Sequence, residues 1–236
     1  MANRINMIRM SEKEYHDDCY ENQTLFEAGS WLHKPVKTVL DQFEALEPVS
    51  EMRVLDLGCG VGRNSIPIAR HLQASNGKVV CVDFLDSAIH HLKRYSKLYG
   101  VAEQLEMIES DISEFTVIPN HYQYIYAVST LEHLDSKETF DRVIERMKAG
   151  TKNGGINCFI ISSNIQEIEV ETGNSLDPMF ELLFETDELL HKLETLYKNW
   201  QVLKQTVKGY ELEIQRAGKP VLLKSDVVTW SVRKVT

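Results

Sequence analysis

Apolar residues along this chain follow two rhythms. Short runs recur at Val54-Leu55-Asp56-Leu57, Lys78 to Asp83, Leu105 to Glu109, Tyr122 to Val128 and Ile156 to Ile161. Runs of that length, bounded by turn residues, read as buried strands. Between them the spacing changes to three and four residues, the helical period. Val36, Val39, Leu40, Phe43 and Leu46 predict a helix over 30–47, with Pro35 in its first turn and Trp31 just ahead of it. Ile66, Ala69 and Leu72 share one face of a second helix. Ala88, Ile89, Leu92, Tyr95 and Leu98 share one face of a third, from Ser87 to Tyr99, stopped by Gly100. Further helices are expected from Ser136 to Ala149 and from Thr186 through Leu193 and Leu196. Ser11 with Glu14 three residues on is a capping-box pattern, and Tyr15, Cys19 and Tyr20 follow on one face. Near the end, Trp200 to Val207 and Val227 to Val232 read as strands. A hairpin at Arg216-Ala217-Gly218-Lys219 joins Tyr210–Ile214 to Val221–Leu223. Residues 162–183 break both rhythms and are expected to be an irregular, acidic insertion, with Phe180 and Phe184 as an apolar wall. Five strand–helix alternations and a closing hairpin predict an α/β fold with a mostly parallel sheet.

The 236 residues suffice for one large core, or one domain with an appendage. The division expected is an N-terminal helical segment, 1–49, ahead of a main domain, 50–236. Of the residues, 43% are hydrophobic and 26% charged, and the net charge is −9. No dense basic run is present, so a small substrate is favoured over nucleic acid, whose binding leans on phosphate neutralisation. No apolar run approaches the ~20 residues of a membrane span. Met1 to Met10 lacks a hydrophobic signal core, so a cytoplasmic location is expected, as a monomer or homodimer. Cys19, Cys59, Cys81 and Cys158 show no metal-ligand spacing, so neither a metal nor a disulfide is expected.

The densest chemical signal is Asp56-Leu57-Gly58-Cys59-Gly60-Val61-Gly62-Arg63-Asn64, a strand, a glycine turn and a helix start. Glycine reaches backbone angles other residues avoid and lets a ligand touch the main chain. Ligands on open α/β sheets sit at the carboxyl ends of the strands, so this turn is the expected floor of a binding site. A dinucleotide turn reads G-x-G-x-x-G. Here it reads G-x-G-x-G behind Asp56, an acid that suits a cation better than a pyrophosphate. Asp83 ends the second strand 25 residues beyond Gly58, the distance at which an acid accepts from ribose hydroxyls. Asp86-Ser87 is available to cap the next helix, leaving Asp83 free for that role.

The glycine stretch closely resembles motif I of the class I S-adenosylmethionine (SAM) methyltransferases. The resemblance covers residues 50–165 strongly and the remainder weakly. It implies a Rossmann-like, seven-stranded, mostly parallel sheet with helices on both faces and the last strand antiparallel. It implies SAM as cofactor and S-adenosylhomocysteine as product. Asp56 would lie near the amino and sulfonium end, with Gly58, Cys59 and Gly60 making room for the amino-acid moiety. Arg63 and Asn64 follow on the same turn, and Arg63 would meet the carboxylate of SAM or an anionic substrate. Asp83 would hold the ribose, Phe84 would lie against the adenine, Asp111 and Ile112 would read its edge, and Val128 and Ser129 would supply backbone contacts. Gln123 stands where the family usually has Asp, and Thr151-Lys152-Asn153-Gly154-Gly155 resembles its K-P-G-G turn. In similar methyltransferases an N-terminal Tyr-rich helix often forms a lid, and the insertion corresponding to 162–183 often carries substrate specificity.

The C-terminal part, with Tyr197-Lys198-Asn199-Trp200 and Gly209-Tyr210-Glu211-Leu212, resembles the TehB-like tellurite-resistance methyltransferases, which act on small, soft nucleophiles. Some of that group carry a His-Arg pair where Glu213-Ile214 stand here. Methyl transfer to a small acceptor, such as a soft anionic or metalloid nucleophile, is therefore the expected activity. An oxygen or nitrogen acceptor would gain ~10²–10⁴-fold from a general base, for which His133, Glu132, Tyr15 and His16 are candidates. The rivals are an RNA or protein methyltransferase and a non-catalytic SAM-binding scaffold. A cavity filled by side chains around 129–134 would mark the scaffold.

Overall fold

The computed structural model describes residues 2–216 and 218–235. Five strands, β1 (Arg53–Leu57), β2 (Lys78–Asp83), β3 (Leu105–Glu109), β4 (Tyr122–Val128) and β5 (Thr151–Glu169), pair in parallel. Two residues, β6 (Ser175–Leu176), pair with the far end of β5. A hairpin of β7 (Gln201–Arg216) and β8 (Lys219–Arg233) completes the sheet, β8 running antiparallel to both neighbours. The order is β3-β2-β1-β4-β5-β8-β7. This is the doubly wound, Rossmann-like arrangement expected. Its direction of winding reverses between β1 and β4, the switch point where such sheets bind ligands.

Period-two alternation sends the two halves of each strand into different cores. Leu55, Leu57, Ile125, Ala127, Phe159 and Trp230 pack against α5 (Lys137–Gly150) and α6 (Thr186–Leu196). Val54, Cys81, Tyr124, Tyr126 and Cys158 pack against α2 (Lys37–Glu44), α3 (Ser65–Leu72) and α4 (Asp86–Leu98).

Four elements differ from the sequence expectation. The first helix, α1, runs Ala2–Asn22 without a break, so Ser11 lies mid-helix and its capping box is not used. The helix expected over 30–47 contracts to α2, because Lys34, just before Pro35, is held extended (φ −134, ψ 143). Trp31–His33 form a separate 3-10 turn, capped by the Ser30 hydroxyl accepting from the Leu32 N–H at 3.1 Å. The insertion expected from residue 162 begins instead as a continuation of β5. A register shift between Ser163 and Gln166, with Asn164 at φ +47, lets the strand bend and go on to pair with β8. The strand over 200–207 and the separate hairpin beyond it merge into β7 and β8, because the ladder continues through Gly209 opposite Asp226. Ala217 of the hairpin turn lies outside the described residues.

Candidate active site

Strand register brings the chemistry to one edge. Leu57 pairs with Val82 on one side and Ala127 on the other, and Asp83 pairs with Glu109. The residues that follow, Gly58, Phe84, Val128 and Ser110-Asp111, therefore emerge side by side. The turn is clamped to β2 by the Gly58 and Cys59 N–H groups donating to the Val82 carbonyl at 2.8 and 3.0 Å. Gly58 sits at φ +77, and a Cβ there would lie 2.0 Å from the Thr130 hydroxyl. No residue but glycine fits. Ser129 turns out of β4 at φ +50, a conformation non-glycine residues rarely hold.

A cavity of about 520 Å³ opens above this edge, within the ordinary range for small-molecule sites. Gly58, Cys59, Gly60, Arg63 and Asn64 line its floor, Asp83, Phe84, Asp111 and Ile112 one end, and Val128, Ser129 and His133 the other. Helix α1 forms its roof through Arg9, Glu12, Lys13, Tyr15, His16 and Tyr20.

Asp56 is a correction. It does not line the cavity. It projects to the α3 side of β1, where it accepts from the Ser65 hydroxyl and, at 2.8 Å, from the Tyr126 hydroxyl. Burial pushes its pKa up to about 7, against the opposing pull of those two hydrogen bonds. It braces the start of α3 beneath the turn rather than facing a ligand. Asn64 lines the floor but spends its side-chain oxygen on the Val36 N–H at 2.9 Å, tying the segment before α2 to the turn.

Asp83 is held by backbone. Its two oxygens accept from the Gly60 N–H at 2.8 Å and the Leu85 N–H at 2.9 Å. The cap expected of Asp86 and Ser87 is not made: their side chains bind Lys13 and Asp17 of α1, and α4 starts without a side-chain cap. Burial raises the Asp83 pKa, and the N–H groups of Leu85, Gly60 and Phe84 oppose it. Asp111 accepts from the Ser113 N–H at 2.8 Å and from Arg9 at 3.3 Å. Arg9 also lies over the exposed Phe84 ring, 5.6 Å from its centroid.

Arg63 stacks on Trp31 (4.9 Å) and donates to its carbonyl at 2.9 Å. Its Nε is buried without a partner among the described residues, and burial lowers its pKa. A buried guanidinium with an unsatisfied N–H, lining the cavity beside the glycine turn, suits a carboxylate. With Asp83 at the other end of the floor, the donor and acceptor set fits an amino acid joined to a nucleoside.

The base candidates separate once their surroundings are known. His133 stacks on Phe180 and its Nδ1 donates to Glu181 at 3.0 Å. Burial alone would lower its pKa, but that hydrogen bond and the charges of Glu12, Glu132 and Glu181 raise it to about 9. At neutral pH it is an imidazolium, a donor and not a base. Burial raises the Tyr15 phenol further above its ordinary value, so it is no base either. Glu132 is buried, with one oxygen accepting from the Ser162 N–H at 3.0 Å and the other unpartnered among the described residues. His16 is neutral, its pKa lowered by burial, and its Nδ1 is sealed from solvent. Sequence reasoning missed Arg9 and Glu12 as site residues. The three- and four-residue spacing of Arg9, Glu12, Lys13, His16 and Tyr20 marks one helix face, but only packing shows what that face covers. Glu181 carried no signal, and Tyr210 stood out only within the C-terminal resemblance and not as a site residue.

The glycine turn at the switch point, the acid that ends β2 and the acid after β3 thus line one cavity. Residues 54–155 match the family described as "Methyltransferase domain". The carboxy-S-adenosyl-L-methionine synthase of Pseudoalteromonas atlantica is 23% identical over 84% of this chain and 79% of its own length. The sterol 24-C-methyltransferase of Aspergillus fumigatus is 29% identical over 44% of this chain and 26% of its own. The chain spans about half the length of several other curated relatives it matches. The crystal structure of TehB from Haemophilus influenzae superposes with a TM-score of 0.62 at 24% identity, covering 84% of this chain and 62% of that one. Residues 54–155 therefore form a SAM-dependent methyltransferase domain, with SAM as cofactor, and the chain shares the fold of TehB.

Proposed function

We propose that this protein transfers the methyl group of SAM to a small-molecule acceptor. The observation that carries this reading is the roofed cavity, continuous from Asp83 and Asp111 past the glycine turn to His133. Bound SAM would supply an electrophilic methyl group on a sulfonium. The chain's own residues do the rest. Asp83 would hold the ribose, Asp111 and Ile112 the adenine edge, and Arg63 the carboxylate. Asp56 keeps the turn in shape from below. Helix α1 covers the cavity, and orientation of two reactants in such a site can supply up to ~7–11 kcal/mol of barrier reduction.

The cavity reaches Ser129, Thr130, Glu132 and His133 and is not filled by their side chains, which argues against a scaffold. Its roof argues against a macromolecular acceptor, since Arg4, Arg9 and Lys13 of α1 span it by pairing with Asp177, Asp111 and Asp86. The relatives' names cover carboxy-SAM synthesis and sterol methylation, so the fold by itself does not choose the acceptor.

The test is calorimetric titration of SAM and S-adenosylhomocysteine into wild type and Asp83→Ala. Two lost hydrogen bonds to a charged group cost about 3 kcal/mol or more, so affinity should fall at least a hundredfold. Folded wild type that binds neither compound would overturn the reading.

A further inference from the structure

A second cavity, an annex of about 80 Å³, adjoins the first between α1 and the β7–β8 hairpin, and the two share Glu12, Tyr15, Phe180, Leu212 and Leu223. Tyr15, Phe180, Leu212, Ile214 and Leu223 form its walls. Arg216 also lines it, its guanidinium matched by Glu12 at 3.3 Å and by buried Glu167 at 2.9 Å. The annex is therefore a mainly apolar slot whose charged lining groups are paired.

His133 lines the main cavity and lies against Phe180, a residue the two cavities share. Its ring lies on Phe180, centroids 5.3 Å apart, and Glu181 holds its Nδ1. Nε2 has no hydrogen-bond partner among the described residues. A charged N–H donor at this point favours an acceptor that carries negative charge when it reacts. The other titratable groups are not placed to remove a proton. The His16 Nδ1 is sealed from solvent, its Nε2 turns toward Glu12 at 3.7 Å, and the free oxygen of Glu132 is also sealed. Hydroxyls and amines would thus arrive protonated and stay so. A thiol is by far the most acidic of the three and ionises more readily still beside a cation. An inorganic oxyanion is anionic too but would leave the apolar slot unfilled.

Resting on the methyl-transfer reading above, we propose that the acceptor is a small organic thiol, its sulfur against the His133 Nε2–H and its apolar arm in the slot. At about 80 Å³ the slot has room for a short arm of a few carbons. The thiol proton passes to water. The thiolate lone pair forms the new sulfur–carbon bond while the bond from methyl to sulfonium breaks, its electron pair staying on the cofactor sulfur. The products are a methyl thioether and S-adenosylhomocysteine.

The test uses ethanethiol, 1-propanethiol and 1-butanethiol against 1-propanol, propylamine and selenite. Two quantities are read: kcat/KM for S-adenosylhomocysteine formation, and thiol Kd by calorimetry on protein saturated with S-adenosylhomocysteine. Both should improve about fourfold from ethyl to propyl, the gain of one buried methylene, and level off at butyl. Ile214 lines the slot but not the main cavity, so Ile214→Ala should move the optimum to butyl and Ile214→Phe back to ethyl. SAM titration of each variant checks that it folds and binds cofactor. With SAM bound, faster transfer to selenite, propanol or propylamine, no turnover of any thiol, or indifference to chain length would overturn the thiol assignment and leave the methyl-transfer reading standing. Failure of wild type to bind SAM would overturn both.

Discussion

Asp56 and Asp83 end neighbouring strands on the same edge, and packing gives them opposite tasks. Asp83 faces the cavity with backbone N–H groups holding it, while Asp56 faces α3 and is held by hydroxyls. Both types of residue were legible as important from their place beside the glycines, but which way each carboxylate points depends on strand twist and on Tyr126 from a different strand. Gly58 is the clearest single-residue constraint. Gly58→Ala combines φ +77 with a 2.0 Å clash on Thr130, and a strained backbone with overpacking should cost about 2–4 kcal/mol in urea denaturation. Adding Thr130→Gly should recover the steric part and leave the backbone part.

His133 and Asp56 also predict how stability varies with pH. The folded pKa of His133 is raised to about 9, above the ~6.5 of the unfolded chain. Its contribution is present in full below pH ~6.5 and is lost as pH rises through 9, about 2–3 kcal/mol in all. The folded pKa of Asp56 is raised to about 7, so it works in the same direction over a lower window, between ~4 and 7. Urea midpoints measured from pH 6 to 9 should fall in wild type and fall less in His133→Asn. Equal slopes for the two proteins would remove the charged Glu181–His133 pair from the account.

Helix α1 makes its argument at the level of the element. Of its described side chains only Ile8 and Tyr20 are buried apolar ones. It is tied down instead by ion pairs along both rims, Lys13 to Asp86 on one side and Arg4 to Asp177 on the other, both largely exposed. Exposed pairs are worth little each and are screened by salt. Amide hydrogen exchange should therefore be faster in α1 than in α3 or α5, faster again at 0.5–1 M salt as an order-of-magnitude choice set by the Debye length, and slowed by S-adenosylhomocysteine. Protection in α1 equal to that of α5 would show a fixed wall and not a lid. The sequence marked a helix here and even its face, since 3.6-residue spacing is local. It did not mark the start of the helix at Ala2, because Ser11 offers a cap that a continuing helix leaves unused.

On the scale of the whole molecule, one sheet separates two cores, and the site lies where the sheet's winding reverses between them. Phe140 on α5 is completely buried in the larger core, and Phe140→Ala should cost about 3–5 kcal/mol by the same denaturation measurement. The long β7–β8 hairpin serves both ends of the molecule. Trp230 near its base fills a core, while Tyr210, Leu212 and Leu223 farther along form the cavity wall. That double use is why the C-terminal strands were divided too finely from sequence. Gly209 reads locally as a break, yet the ladder to Asp226 carries the strand across it.

What this sequence determined by itself is the part governed by local rules. Buried strands announce themselves as short apolar runs, helices by their period, and the cavity floor by its glycines. From these came the sheet, its cavity edge and the placement of Asp83, Asp111, Val128 and Ser129 along it. Tertiary structure alone decided the rest. It turned Asp56 away from the cavity, charged His133 through Glu181, 48 residues distant in the chain, sealed His16, and joined α1 to the distant hairpin to make the annex. Those outcomes depend on burial and on through-space charge, which are properties of neighbours brought together by folding and not of any stretch of sequence.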